Sequence, residues 1–125
     1  MQNNKLKKIG SVLLGLVFLS ACTSKTIVYP SASTGPVSFS KDVLTLFTSN
    51  CALSGCHVTG GIPPDLSAGN AYNSLISGGY VNTGTPQQSP IYTVVISSGA
   101  MNSHLPNFSD QQVILNWIKQ GAKND

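Results

Sequence analysis

The amino-acid sequence predicts an all-α domain of about four short helices in residues 37–125. The clearest sign is a set of four apolar residues that recur at helical spacing near the end of the chain, namely Val113, Ile114, Trp117 and Ile118. The predicted helices are joined by long loops, which is unusual for a bundle held together by its own packing alone. We therefore expect a further chemical group to lie inside the domain.

The first helix is predicted to run from Ser40 to about Asn50. Ser40 is a suitable N-cap, and Asp42 follows in the first turn, where the helix dipole favours a negative charge. Four apolar side chains share one face of this helix, namely Phe39, Val43, Leu46 and Phe47. The helix is expected to end just before Cys51.

Two shorter helices are expected in the middle of the domain. Residues 70–77 favour one helix, which the following pair of glycines ends. Ser89 and Pro90 predict the start of the next, because serine is a good cap and proline fits the first helical position. The β-branched residues in 91–96 favour a strand equally well by propensity. The helix is preferred because no partner strand is obvious.

The last helix is expected to begin at Ser109 and to stop at Gly121. Ser109 and Gln112 match the capping box, in which the two side chains satisfy two free N–H groups at the start of a helix. Glycine just beyond the final apolar residues is a common stop signal.

Residues 1–21 have the pattern of a lipoprotein signal peptide. Three lysines precede a short apolar run, which ends in small residues directly before Cys22. This ending resembles the bacterial lipobox, whose cysteine is acylated and becomes the first residue of the mature protein. The alternatives are an ordinary cleavage site and a membrane anchor that is retained. Residues 22–36 are rich in Ser, Thr and Pro, which indicates a flexible tether.

Removal of the signal peptide changes the charge of the protein. The whole chain has a net charge of +3, from seven basic and four acidic residues. After cleavage before Cys22, four lysines and four aspartates remain, namely Lys25, Lys41, Lys119, Lys123, Asp42, Asp65, Asp110 and Asp125. No basic patch remains to bind nucleic acid or anionic lipid, so neither is expected as a partner.

Cys51, Cys56 and His57 form the motif that says most about chemistry. At a c-type haem site, two cysteine thiols bond to the haem vinyl groups, and the histidine after the second cysteine binds the iron. The usual spacing is Cys-x-x-Cys-His, whereas here four residues separate the cysteines. The two extra residues are expected to loop outward at Ser54 and Gly55, because glycine tolerates a positive φ.

Two other interpretations of the cysteine pair stay open. Nearby cysteines in an exported protein commonly form a disulfide, and cysteine and histidine also bind zinc. Haem is favoured because His57 directly follows Cys56, and because a carbonyl of Pro63–Pro64 lies at a suitable distance to accept the Nδ1 proton of His57. Met101 offers a thioether as the second axial ligand of the iron, with His104 as the alternative.

The domain resembles the small monohaem cytochrome c domains of lipoproteins from Bacteroidota-like and planctomycete-like bacteria. The similarity spans nearly the whole domain and includes Asn50-Cys51-Ala52, Ser54-Gly55-Cys56-His57, Asp65-Leu66-Ser67, Ser89-Pro90-Ile91-Tyr92, Met101 and Asn116-Trp117-Ile118-Lys119-Gln120-Gly121-Ala122. It implies a class I cytochrome c fold, with the helices wrapped around one covalently attached haem c, and electron transfer without bond chemistry. Relatives often carry Met-Pro at the distal position, whereas here Met101 is followed by Asn102 and has His104 nearby.

The sequence therefore predicts an electron-transfer protein and not an enzyme. Four aspartates, without any Glu or Arg, supply neither a catalytic triad nor a carboxylate pair. The expected partners are redox proteins of the cell envelope and, through the lipid anchor, a membrane. The domain is expected in the periplasm or at the surface. Thr23 after Cys22 is not the Asp that retains lipoproteins in the inner membrane, which by family analogy favours the outer membrane. The alternative function is a structural or ligand-binding surface lipoprotein, stapled by a Cys51–Cys56 disulfide and without haem.

Overall fold

A computed structural model describes residues 35–96 and 98–125, and these residues form helices and loops without a β-strand. Four α-helices are present: α1 (Leu44–Asn50), α2 (Ala71–Ser77), α3 (Pro90–Thr93) and α4 (Phe108–Lys119). The prediction of an all-α domain with four short helices is thus confirmed. Within the described residues, no helix combines the length and apolar character needed to cross a membrane. The predicted signal peptide, Cys22 and nearly all of the predicted tether lie outside the described residues.

The first helix begins two residues earlier than the sequence suggested. Ser38 has the extended backbone of an N-cap, and its N–H donates to the carboxylate of Asp42 at 2.8 Å. A turn of π-helix (Phe39–Val43) then leads directly into α1. The helix ends at Asn50, as predicted.

The start of this helix is closed by a residue from the far end of the chain. The carboxylate of Asp125 accepts a hydrogen bond from the N–H of Phe39 at 2.8 Å, and its backbone carbonyl accepts one from Ser40 at 2.9 Å. N–H groups in the first turn have no partner within their own helix, so this contact satisfies two of them. The prediction of Ser40 as the cap is wrong, because Ser38 is the N-cap and Ser40 lies inside the first turn.

Helix α4 also begins earlier than predicted, with Asn107 as its N-cap. The prediction of a capping box at Ser109 and Gln112 is wrong, because Ser109 lies inside the first turn of α4 and is not its N-cap. The side chain of Gln112 donates instead to the hydroxyl of Tyr92 at 3.3 Å, and so links α4 to α3. Gly121 follows the last turn with φ of 95°, in agreement with the predicted stop.

Helices α2 and α3 lie where they were predicted, although α3 is shorter than expected. Helix α2 follows Asn70 and ends before Gly78, and α3 starts at Pro90 and has four residues. Ser89 is the N-cap of α3, as predicted, but its hydroxyl makes no capping bond. It accepts a hydrogen bond from the N–H of Asn82 at 2.8 Å and donates to the carbonyl of the same residue at 3.2 Å. This exchange holds the loop that leads into α3.

Three aromatic side chains join the first helix, α2 and α4. The ring of Phe39 lies 5.1 Å from that of Trp117 and 5.3 Å from that of Tyr72, measured between centroids. Trp117 is almost fully buried, and its Nε1–H donates to the carbonyl of Lys123 at 2.8 Å. Replacing a buried aromatic of this size by alanine typically costs about 3–5 kcal/mol. This cluster therefore ties the start of the first helix to α2 and α4.

Candidate functional site

An apolar cavity of about 450 Å³ brings together the chemically active side chains singled out in the sequence. It is lined by both cysteines of the motif, both histidines of the chain and one methionine, namely Cys51, Cys56, His57, Met101 and His104. Apolar side chains form much of the remaining wall, including Phe47, Leu66, Ile91 and Val95. The volume falls within the range of roughly 300–1,000 Å³ that is typical of small-molecule and cofactor sites.

The segment between the two cysteines turns outward and returns to its starting point. Cys51 caps α1 by donating its N–H to the carbonyl of Phe47 at 2.8 Å. The N–H of His57 then donates to the carbonyl of Cys51 at 3.1 Å, which closes the segment. Gly55 has φ of 80°, a conformation that favours glycine. The expected outward loop at Ser54 and Gly55 is therefore present, and both residues are exposed.

The two cysteine thiols are free and half-buried. Burial raises the pKa of the Cys51 thiol, and the neighbouring Cys56 raises it further. The Cys51 side chain is accordingly a neutral thiol at neutral pH. Two free thiols that line an apolar cavity match the chemistry of addition to the vinyl groups of a haem.

The imidazole of His57 is held by two backbone carbonyls. Its Nδ1 lies 2.9 Å from the carbonyl oxygen of Ile62 and 3.2 Å from that of Pro64. A carbonyl oxygen only accepts hydrogen bonds, so Nδ1 is the donor in both contacts and Nε2 is the nitrogen left for a metal. The proline contact expected from the sequence is present, and the carbonyl of Ile62 is an additional acceptor that the sequence did not indicate. A ring held in this way presents one defined nitrogen as a metal ligand.

Short hydrogen bonds keep the loop after His57 closed. The N–H of Ile62 donates to the carbonyl of Cys56 at 2.9 Å, and the N–H of Leu66 donates to the carbonyl of His57 at 2.7 Å. Each bond returns the chain towards the motif, so the loop stays beside the imidazole. The carbonyls of Ile62 and Pro64 that accept from Nδ1 thus belong to a loop that is held in shape by its own hydrogen bonds.

Met101 and His104 reach the cavity from the loop before α4. Met101 donates its N–H to the carbonyl of Val94 at 2.7 Å, and the side chain of Asn102 donates to the carbonyl of Val95 at 2.9 Å. A turn of 3₁₀ helix (Asn102–His104) follows. Met101 is half-buried and His104 is exposed. The structure therefore brings both candidate distal ligands to one cavity with His57, and Met101 is the more enclosed of the two.

A polar cluster around Asp65 lies beside the His57 loop and was not found by sequence reasoning. Its carboxylate accepts hydrogen bonds from the side chains of Thr59, Ser67 and Asn70. The hydrogen bonds from Ser67 lower the pKa of Asp65 to about 2, with smaller contributions from Thr59 and Asn70. Asp65-Leu66-Ser67 is part of the resemblance to cytochrome c domains, but polar residues are common in loops and gave no sign of this cluster.

A second hollow, of about 460 Å³, opens near the end of the chain. It is lined by Pro36, Val37, Trp117, Gln120, Lys123 and Asp125. None of these residues is a thiol, thioether or imidazole, so this hollow lacks the donor chemistry of the first cavity. Among the residues that the structure describes, no group of three or more His, Cys, Asp or Glu side chains is arranged to hold a metal ion.

Comparison with known proteins gave no family model, curated protein or solved structure that matches the chain.

Proposed function

We propose that this chain is a lipid-anchored electron-transfer protein of the cell envelope that carries one covalent haem c. The observation that carries the proposal is the shared cavity of Cys51, Cys56, His57 and Met101. Two thiols, an imidazole and a thioether are the groups that a c-type haem takes from a protein. The proposed fold is a class I cytochrome c-like arrangement, in which the four helices surround the haem.

The residues of the cavity fit this group in three respects. The cavity is apolar and of cofactor size, which suits a flat macrocycle with a hydrophobic face. The thiols of Cys51 and Cys56 are free to form the two thioether bonds. The Nδ1–H of His57 donates to backbone carbonyls, so Nε2 is the nitrogen that would bind the iron.

Each protein group has a defined task in the proposed site. His57 supplies the proximal nitrogen, and Met101 supplies the distal sulfur. The bound haem supplies an iron that changes oxidation state by one electron. The apolar wall of the cavity would limit the access of water to the iron, which would slow ligand exchange and favour electron transfer. The proposed partners are redox proteins of the cell envelope, reached from a membrane anchor at Cys22.

The test is expression of the full chain together with haem-maturation machinery. Because thioether bonds are covalent, haem should stay with the polypeptide through denaturing electrophoresis and acid–acetone extraction. Cys51→Ala and Cys56→Ala should each greatly reduce the haem stain on the gel. The pyridine haemochrome spectrum of the wild type should be that of a haem whose two vinyl groups are saturated.

Cys22→Ser is the matched control, because it removes the third cysteine of the chain and leaves Cys51 and Cys56 in place. Its haem stain should equal that of the wild type. Clean extraction of haem from the wild type would overturn the proposal. A colourless protein with Cys51 and Cys56 oxidised to a disulfide would support the alternative, a stapled surface lipoprotein without haem.

A further inference from the structure

The carboxylate of Asp65 accepts hydrogen bonds on both of its oxygens. Oδ2 accepts from the hydroxyl of Thr59 at 2.8 Å and from the amide of Asn70 at 2.9 Å. Oδ1 accepts from the N–H of Ser67 at 3.0 Å and from the hydroxyl of the same residue. Hydrogen bonds to an ionised acceptor are stronger than those between neutral groups. The charged carboxylate of Asp65 therefore holds Thr59, Ser67 and Asn70 together.

The hydrogen bond between Thr59 and Asp65 spans the loop that holds the imidazole of His57. Thr59 lies just after His57, and Asp65 directly follows Pro64. The two carbonyls that accept the Nδ1 proton belong to Ile62 and Pro64, which both lie between the anchor points. A bond between Thr59 and Asp65 thus closes the loop across its two ends.

The cluster is also fixed to the rest of the domain. The N–H of Asp65 donates to the hydroxyl of Ser74 in α2 at 2.9 Å. Because Ser67 lowers the pKa of Asp65 to about 2, the carboxylate is ionised at neutral pH. The carboxylate does not cap α2, which begins after Asn70. The bond from Thr59 reaches back to the loop after His57, and those from Ser67 and Asn70 tie Asp65 to the segment that leads into α2.

We propose that Asp65 is a positioning residue for His57, holding the loop in the shape that presents the Ile62 and Pro64 carbonyls to Nδ1. This inference rests on the proposed function, since its consequence concerns the iron-binding nitrogen of the same ring. Carbonyl acceptors on Nδ1 fix the rotation of an imidazole and make its other nitrogen a stronger ligand. Asp65 acts on the iron only through this loop.

The test uses the full chain with haem attached and compares the wild type with Asp65→Asn. Asparagine keeps the size of the side chain but removes the charge, and its NH₂ group faces donors rather than acceptors. We expect the Nδ1–H of His57 to exchange with solvent deuterium about tenfold faster, as measured by NMR of the ferrous protein. The reduction potential should rise, because a less firmly held Nδ1 proton makes the histidine a weaker donor to ferric iron.

Two further variants separate positioning from general stability. Thr59→Val removes the hydrogen bond across the loop but keeps those from Ser67 and Asn70. The exchange rate of the Nδ1–H and the reduction potential should therefore rise as in Asp65→Asn, but by less. If Asp65→Asn fails to fold, Thr59→Val tests the positioning role in its place. Asp110→Asn is the matched control, because it removes a carboxylate from the first turn of α4, away from the loop. Its Nδ1–H exchange and potential should equal those of the wild type.

The outcomes distinguish this inference from the proposed function. If haem is covalently attached and both loop variants keep the wild-type exchange rate and potential, the positioning role is overturned and the proposed function stands. Equal effects from Asp110→Asn would likewise overturn the positioning role. If the wild type attaches no haem, the proposed function itself fails.

Discussion

The Nδ1 of His57 lies 2.9 Å from the carbonyl oxygen of Ile62, and this contact depends on the absence of a side chain at the preceding residue. A Cβ atom at Gly61 would overlap the carbonyl oxygen of Cys56 and lie 3.0 Å from that of Val58. Both oxygens already accept hydrogen bonds from this loop, from Ile62 at 2.9 Å and from Gly61 at 2.8 Å. The loop can therefore close in this shape only with glycine at position 61.

Gly61→Ala is expected to open the loop and to lower the free energy of unfolding by about 1–3 kcal/mol, the usual cost of forcing extra volume into a packed site. Chemical denaturation measures this change. Gly69→Ala is the control, because no atom lies within 4 Å of a Cβ at that position, and its effect should stay within about 0.5 kcal/mol. Equal stability of the two variants would contradict the role given to Gly61.

The carboxylate of Asp65 predicts a specific loss of stability in acid. Its pKa is about 2 in the folded protein against 3.8 for the free group. The folded state therefore gains stability from the ionised form above about pH 4, and loses it as the pH falls towards about 2. Thermal unfolding across this range should show a steep decline for the wild type and a flatter one for Asp65→Asn.

Variants of the residues that donate to Asp65 should weaken this acid-induced loss of stability to different degrees. Ser67→Ala removes part of the largest contribution to the lowered pKa, and Thr59→Val removes a smaller one. The decline between about pH 4 and pH 2 should be flattened more by the first variant than by the second. Parallel pH curves for all four proteins would show that the cluster does not set the acid stability.

Local sequence patterns predicted which segments form helices, whereas contacts between distant residues decided where the helices begin. Ser40 is a reasonable cap by its local sequence, but its N–H is taken by the carbonyl of Asp125. Gln112 has the spacing of a capping box, but its amide reaches Tyr92 instead. Neither partner is near in sequence, so no local pattern could have indicated it.

Those parts of the candidate site that depend on the type of a side chain could be predicted from the sequence. Cys51, Cys56 and His57 are recognised by identity and order, and the structure brings Met101 to the same cavity. The carbonyl of Ile62 could not be predicted in this way, because every residue has a backbone carbonyl and only the loop conformation selects one. The cluster of Asp65 was missed for a similar reason, since its donors are ordinary polar loop residues.

The lipid anchor remains a prediction of the sequence alone, because Cys22 lies outside the described residues. Cys22→Ser should abolish acylation, since serine offers no thiol to the acylating enzyme. The variant should then appear in the soluble fraction or stall as a precursor of higher mass. Cell fractionation and labelling with a radioactive fatty acid measure the two effects. Membrane association equal to that of the wild type would rule out the lipobox interpretation.

The distal ligand decides whether the proposed electron carrier has a high or a low potential. A thioether ligand raises the potential of haem iron, whereas a second histidine lowers it. Met101 is half-buried in the cavity wall and His104 is exposed, and the enclosed sulfur is better protected from exchange with water. We therefore expect the ferric protein to show the long-wavelength charge-transfer band that is typical of Met–haem ligation.

Met101→Ala should remove this band and open the iron to cyanide in the ferric state and to CO in the ferrous state. The reason is that alanine leaves the distal position without a donor, while the covalent attachment at Cys51 and Cys56 is unaffected. His104→Ala is the matched comparison, because it removes the other candidate from the same loop and should leave the band in place. An unchanged spectrum in Met101→Ala, together with loss of the native spectrum in His104→Ala, would assign the distal position to His104. The potential would then be expected at the low end of the range for haem proteins, since both axial ligands would be imidazoles.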